Sequence, residues 1–214
     1  SPVEAQTSFG YTYNQIYTGN VMVPISQGSH LTTKVDMNKK PLLSFINNEV
    51  YGSQGGMTVW WLNSMGDSTY TNHSFRGWSV IDGLKVWHVW KDGFYGYPSK
   101  DVWIKDAIMI NNGTLTPYTV AVEFGDYFAE NYKFENPRIE GFFTGIEASE
   151  NTYFNFEVRG GLLRNSSNLR VPTPRTVGGA PNTPWIKYVF DNIKFGNIAG
   201  KPYNNFVLSY KAGD

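Results

Sequence analysis

The chain has 214 residues, and its 18 basic and 18 acidic residues give a formal net charge of zero. This balance argues against nucleic acid as the main partner, because phosphate binding calls for an excess of basic charge. The absence of cysteine excludes disulfides, thiolate metal sites and a cysteine nucleophile. No apolar run reaches the roughly 18 residues of a transmembrane segment, and an aromatic content of 16% favours strands over helices.

Residues 1–40 are polar and irregular, and we expect them to form a lead-in or cap before a domain that spans residues 41–214. The chain starts at Ser1 without an apolar run, so a signal peptide, if there was one, has been removed. We expect a secreted protein that is extracellular or held at the cell surface.

Short runs of alternating apolar and polar residues follow, at 102–110, 118–124 and 185–190, and glycine, asparagine or proline bounds them. This two-residue period is typical of strands. The proline- and glycine-rich stretch 168–184 is predicted to be a long loop. Residues 203–210 are predicted to form a final strand.

The apolar runs share a pattern, because an acidic residue or asparagine follows each apolar strand end. The shortest steps between these polar residues match one coil of a parallel β-helix, in which apolar side chains stack inside and asparagine or glycine takes the corners. The polar positions are Asn47, Asp82, Asp106, Glu135, Glu157 and Asp191. The inward positions are predicted to be Phe45, Ile81, Ile104, Phe134, Phe156 and Phe190. The pattern therefore predicts an all-β, right-handed parallel β-helix, and a jelly roll or two-sheet β-sandwich is the alternative.

Segments 45–61, 86–94 and 108–113 repeat a succession of apolar residue, asparagine or polar pair, small residues and a further apolar pair. In this the chain resembles, over roughly residues 41–200, the right-handed parallel β-helix proteins, among them polysaccharide lyases, epimerases and the β-helix regions of cell-surface hyaluronidase-like proteins. The resemblance implies an extracellular domain that binds or processes a polysaccharide and that, if it is an enzyme, is a lyase or glycoside hydrolase. The Asp-Pro-His-Glu run of alginate epimerases is absent, which argues against that activity.

Segment 87–97 is the densest in aromatic and ionisable residues. β-Elimination needs a group that neutralises the uronate carboxylate, a base and an acid. Lys91 could neutralise, and His88 and Tyr95 could exchange protons, so these three are the candidate catalytic residues. Alternatively, His88 is a stacked coil residue with an ordinary hydrogen bond.

The aromatic residues are the main indication of a binding site, because aromatic faces stack on the apolar faces of sugars while nearby polar groups bind the hydroxyls. The alternative is that they fill the core. The candidate ligand-binding residues are Trp61, Trp90, Tyr95, Tyr97 and Asp92.

Carboxylates are scattered along the chain, and two of them facing each other in a cleft would suit a glycosidase. Asp82, Asp106 and Asp191 are expected to share one coil position and to cap turns. The histidines lack metal-ligand spacing, so we expect no metal or other cofactor; calcium is the exception that oxygen ligands at Asp92 and residues 124–126 would allow. Three Asn-x-Ser/Thr sequons offer glycosylation sites at Asn72, Asn112 and Asn165.

The two ends of a β-helix expose unpaired backbone groups. These ends give the alternative function, a structural or adhesive surface protein that assembles through its coil ends into a homo-oligomer or filament. Equally, the lead-in could fold over one end and leave the chain monomeric.

Overall fold

The computed structural model describes residues 20–22, 41, 42, 44–59, 62, 75, 77–96, 99–111, 119–125, 129–149, 155–172, 187–198 and 204–208. These residues form strands and turns and contain no helix. The strands are β1 (Asn20–Met22), β2 (Ser44–Ile46), β3 (Glu49–Tyr51), β4 (Met57–Val59), β5 (Ser79–Asp82), β6 (Lys85–Trp87), β7 (Asp92–Gly96), β8 (Ser99–Lys105), β9 (Ile108–Ile110), β10 (Val120–Phe124), β11 (Ala129–Glu135), β12 (Arg138–Glu140), β13 (Thr144–Glu147), β14 (Asn155–Arg159), β15 (Leu162–Arg164), β16 (Ser167–Val171), β17 (Lys187–Asp191), β18 (Lys194–Gly196) and β19 (Asn204–Leu208).

The strands from β2 onward form six coils of three strands each, and strands at equivalent positions in neighbouring coils pair in parallel. Sheet 1 has the order β1-β2-β5-β8-β11-β14-β17, sheet 2 the order β3-β6-β9-β12-β15-β18 and sheet 3 the order β4-β7-β10-β13-β16-β19. The fold is therefore the predicted right-handed parallel β-helix, and the sandwich alternative is wrong.

Apolar side chains stack inside the coils in columns that follow the strand register. In sheet 1 one inward column contains Phe45, Ile81, Ile104, Phe134, Val158 and Phe190. Five of the six predicted inward positions lie in this column. Phe156 was wrongly assigned to it; this side chain is inward and buried, but it stacks in the neighbouring column between Tyr132 and Tyr188.

The corner between sheets 1 and 2 uses left-handed backbone conformations, which glycine and asparagine adopt at least cost. The φ angles there lie between 48° and 69°, and the residues are Asn47, Gly83, Asp106, Asn136, Gly160 and Asn192. Asp82, Asp106 and Asp191 therefore do not share a position, contrary to the prediction. Asp82, Glu135 and Asp191 end their strands one residue before the corner, and Glu157 lies within β14.

The last residues of the sheet 1 strands form a column on the outer face of the sheet, and their charges alternate along the helix axis. Residues of neighbouring coils can therefore form ion pairs. Lys105 Nζ lies 3.1 Å from Asp82 Oδ2, and Arg159 Nη1 lies 3.2 Å from Asp191 Oδ2. Asp82 and Asp191, which are predicted to cap turns, thus make cross-strand ion pairs instead, whereas Asp106 lies at the corner itself, with a φ of 48°.

Three further expectations concern boundaries. In the predicted lead-in, Asn20–Met22 forms β1, which pairs antiparallel with β2, and the rest of residues 1–40 lies outside the described residues. The predicted loop 168–184 begins too early, because Ser167–Val171 is β16; residues 173–186 are not described. The final strand is confirmed as β19.

The third sequon cannot carry a glycan in this fold, because Asn165 is completely buried. Its amide nitrogen donates hydrogen bonds to Ile139 O at 3.1 Å and to Asn168 Oδ1 at 3.3 Å, and its Oδ1 accepts one from Phe142 N at 3.0 Å. Asn72 and Asn112 lie outside the described residues.

In the part of the chain that the structure describes, no helix has the length and hydrophobicity needed to cross a membrane.

Candidate functional site

His88 lies at the corner that follows sheet 2. Its φ is 53°, and its backbone N–H donates to Ile110 O of the next coil at 3.0 Å. The imidazole meets the Tyr51 ring edge-on at 5.6 Å, and its Nδ1 is buried without a hydrogen-bond partner. These contacts are those of a corner residue stacked on the preceding coil.

Strand β7 and the residue before it bring Lys91, Asp92 and Tyr95 together on sheet 3. Lys91 Nζ lies 3.1 Å from Asp92 Oδ2 and 5.6 Å from the centre of the Tyr95 ring. Hydrogen bonding to Asp92 raises the pKa of Lys91, so the ammonium stays charged at neutral pH. A Cβ at position 93 would lie 2.6 Å from Ala121 O, so the close approach of β7 to β10 requires Gly93.

That approach places the Glu123 carboxyl beside Asp92. In register Glu123 lies opposite Tyr95, and its side chain forms a hydrogen bond with Asp92. A hydrogen bond between two carboxyl groups requires a proton on one of them. Asp92 Oδ1 is buried and has no hydrogen-bond partner among the N–H and hydroxyl groups around it, and Asp92 Oδ2 is paired with Lys91.

Burial, and next the hydrogen bond and charge of Asp92, raise the pKa of Glu123 to about 8. Lys91 lowers the pKa of Glu123, and Glu147 raises it further. Glu123 is thus protonated at neutral pH, while Asp92 is ion-paired with Lys91. A protonated carboxyl beside a partner carboxylate is the combination that general acid catalysis uses.

A strip of polar side chains, which begins with Tyr95 and Glu123, continues along the outer face of sheet 3 into the later coils. Glu147 stands next to Glu123 in register, and Arg170 Nη1 lies 3.3 Å from Glu147 Oε2. Burial raises the pKa of Glu147, and Arg170 opposes that shift. The whole outward column consists of Thr58, Tyr95, Glu123, Glu147, Arg170 and Val207.

Next to this strip, the turn before β7 presents Trp90, whose side chain is 77% exposed. Backbone bonds fix the turn: Trp90 N donates to Ser53 O at 3.2 Å, and Lys91 N to Gln54 O at 2.9 Å. The ring is therefore carried by an ordered backbone one residue from Lys91. Tyr51 is also largely exposed, at 71%.

The predicted site residues are thus only partly assembled. Lys91, Asp92 and Tyr95 form one cluster and Trp90 adjoins it in sequence, whereas His88 contacts Tyr51 at the neighbouring corner. Trp61 and Tyr97 lie outside the described residues. Glu123 was not singled out, because only the coil register shows that it faces Asp92.

A metal would compete with these contacts. Among the described residues no three histidine, aspartate or glutamate side chains are grouped so that they could hold an ion. The Asp92 oxygens considered for calcium face Lys91 and Glu123, and Asp126 is not described.

The raised pKa of Glu123 has a consequence for stability. The native state holds this proton between pH 4.5 and about 8, whereas the unfolded state has lost it. The stabilisation is complete below the unfolded pKa and is lost as the pH rises through 8. We expect the wild type to lose about 2 kcal/mol at most of its free energy of unfolding between these pH values, because solvent screens the half-exposed group. Glu123→Gln, which cannot titrate, should not show this loss. Urea titrations of both proteins at pH 4.5 and 9 measure this difference; equal pH dependence would contradict it.

Comparison with protein-family models, with curated proteins and with solved structures yields no match.

Proposed function

We propose that the protein binds an extracellular polysaccharide along the outer face of sheet 3 and cleaves it, with Glu123 as the proton donor. The observation that carries this proposal is the hydrogen-bonded carboxyl pair of the buried Asp92 and the half-buried Glu123 on the outer face of sheet 3, beside the exposed Trp90. Glycosidic bonds break when the leaving oxygen is protonated, and a carboxyl group with a raised pKa can supply that proton at neutral pH.

The residues around the pair have separate roles in this proposal. Lys91 forms an ion pair with Asp92, and Asp92 in turn favours the protonated form of Glu123. In hydrolysis the attacking water returns a proton to the Glu123 carboxylate after Glu123 has protonated the leaving oxygen, which restores the donor. Tyr95 offers a ring and a hydroxyl to the same sugar.

The length of the strip suits a chain-like substrate. Side chains in the column are spaced by the distance between neighbouring strands, about 4.8 Å. A sugar unit is about as long as one such step, so an oligosaccharide aligned with the helix axis would lie over Tyr95, Glu123 and Glu147.

Trp90 is the expected stacking platform. We expect Trp90→Ala to weaken polysaccharide binding by about 30-fold or more, because aromatic anchors of this kind contribute on the order of 2 kcal/mol to an interface. The fold should be unaffected, since the ring is 77% exposed. Retardation in gels containing the polysaccharide measures the change. Phe75→Ala is the matched control, because Phe75 is 56% exposed and its ring packs on Trp78, which contacts Trp103 of sheet 1 rather than sheet 3.

The proposal is tested by a panel of neutral, uronate-containing and sulfated polysaccharides. Release of reducing ends indicates cleavage, and the ultraviolet absorbance of an unsaturated uronate separates a lyase from a hydrolase. If Trp90→Ala abolishes retention while no wild-type products appear from any retained polymer, the protein is a binder and the catalytic half of the proposal is wrong. No retention of any polymer would reject the whole proposal.

A further inference from the structure

The two ends of the β-helix differ in how their cores are covered. At the N-terminal end, the inward residues Phe45 and Met57 are each 6% exposed, and β1 covers the edge of sheet 1 by antiparallel pairing. At the C-terminal end, the inward residues Phe195 and Phe206 are 39% and 46% exposed. Among the described strands none pairs with the outer edges of β17, β18 and β19. The last coil thus presents apolar side chains together with open strand edges.

Strand β17 is complementary to itself in the antiparallel sense. Its sequence is Lys187, Tyr188, Val189, Phe190 and Asp191. If two copies of it pair around Val189, the exposed Lys187 of each copy lies opposite the exposed Asp191 of the other, and Tyr188 lies opposite Phe190. Oppositely charged and aromatic cross-strand pairs both stabilise a sheet.

In this pairing the inward and outward faces of the two copies also match. Tyr188 and Phe190 continue the inward columns of Phe156 and Val158, whereas Val189 continues the outward column of Glu157. Residues directly opposite in a sheet point to the same face, so this pairing joins the two cores inside and leaves the charged pairs outside.

A twofold axis through the middle of β17 brings the remaining edges together too. It exchanges sheets 2 and 3, so that β18 of one copy meets β19 of the other. Centring this second pairing on the inward residues places Phe195 of each copy opposite Phe206 of the other, which buries the exposed rings of the last coil. Antiparallel addition to a parallel edge already occurs in this chain, where β1 pairs with β2.

We propose that two copies of the chain join through their C-terminal coils, with β17 pairing antiparallel to the same strand of the second copy around Val189. Because this interface uses the same surface of both copies, it is closed and gives a dimer. The polysaccharide strip lies on the side of the coils, so the dimer carries two such strips and its formation does not depend on their activity.

Light scattering of the wild-type chain should give twice the mass of the 24.2 kDa monomer. The cysteine-free sequence allows a direct test of the register. Val189→Cys puts two thiols opposite each other at the twofold axis, within reach of a disulfide. Mild oxidation should crosslink this variant nearly completely. Val80→Cys is the matched control, because Val80 is a half-buried valine of the same outward column at the other end of the helix, and it should stay uncrosslinked.

Charge reversal provides a second measurement. Lys187→Asp places two aspartates opposite each other at both ends of the β17 pair and should shift the protein toward monomer by at least tenfold in dissociation constant. Lys194→Asp is the control, since in this pairing Lys194 faces the apolar Val207. A wild-type monomer at tens of micromolar, or equal crosslinking of Val189→Cys and Val80→Cys, would overturn the proposal. A monomer whose β17 amides exchange slowly would show that the chain covers this edge with its own residues.

Discussion

Replacing Phe134 by alanine should lower the free energy of unfolding by about 3–5 kcal/mol, the range for deleting a buried aromatic ring. Phe134 is completely buried between Ile104 and Val158 in the inward column of sheet 1. Its ring stacks on Tyr132 at 6.2 Å and lies 5.8 Å from Phe156. The stacked coils on both sides limit how far the cavity can collapse, so we expect a value near the upper end. Urea denaturation followed by circular dichroism measures it.

Phe143→Ala is the control for this measurement. Phe143 is 40% exposed, and its backbone N–H keeps its hydrogen bond to Thr119 Oγ1 when the ring is removed. This variant should change the free energy of unfolding by about 0.5 kcal/mol at most. Equal losses in the two variants would mean that the column through Phe134 is not the core of the fold.

The sequence was sufficient to predict the inward face of the strands but not every partner within it. A slip of two residues keeps all side chains on their face, so alternation alone does not distinguish one inward position from the next. Strand β14 offers both Phe156 and Val158 to the core, and the aromatic Phe156 resembled Phe134 more closely. The register pairs Phe134 with Val158, because the corners at Asn136 and Gly160 align.

The corners themselves were misjudged for a related reason. The sequence pattern was keyed to acidic residues and asparagine, whereas the backbone requirement at the corner is a positive φ. Gly83 and Gly160 satisfy it, with φ of 64° and 69°, but carry no side chain that a polar pattern would detect. The pattern therefore predicts corners at the strand-end carboxylates of Asp82 and Asp191, one residue before the positions with a positive φ.

The candidate site, too, could be predicted from the sequence only in part. Lys91, Asp92 and Tyr95 belong to one short segment, so their association could be predicted from sequence. Glu123 reaches them only through the pairing of β7 with β10, and the loop between these coils gives no indication of that register. If the register were known, the sequence would show that Glu123 lies one coil after Tyr95 in the same outward column.

Glu123→Gln should lower the rate of polysaccharide cleavage by about 10²–10⁴-fold, the usual contribution of a general acid. Glutamine keeps the size of the side chain and can donate a hydrogen bond to Asp92, so binding to the same polysaccharide should remain within about threefold of wild type. Reducing-end release and gel retardation measure the two effects. Parallel loss of binding and cleavage would assign Glu123 to substrate binding instead.

The pH profile distinguishes an acid from a merely structural carboxyl, because the neighbours of Glu123 shift its pKa in opposite directions. Cleavage by the wild type should fall as the pH rises past about 8, where Glu123 loses its proton. Asp92 raises the pKa of Glu123, so Asp92→Asn should move this limit to lower pH. Lys91 lowers that pKa, so Lys91→Met should move the limit to higher pH. Carbon-detected NMR titration of Glu123 in the three proteins should give the same order. A limit that stays fixed, or two shifts in one direction, would remove Glu123 from the proton-transfer step.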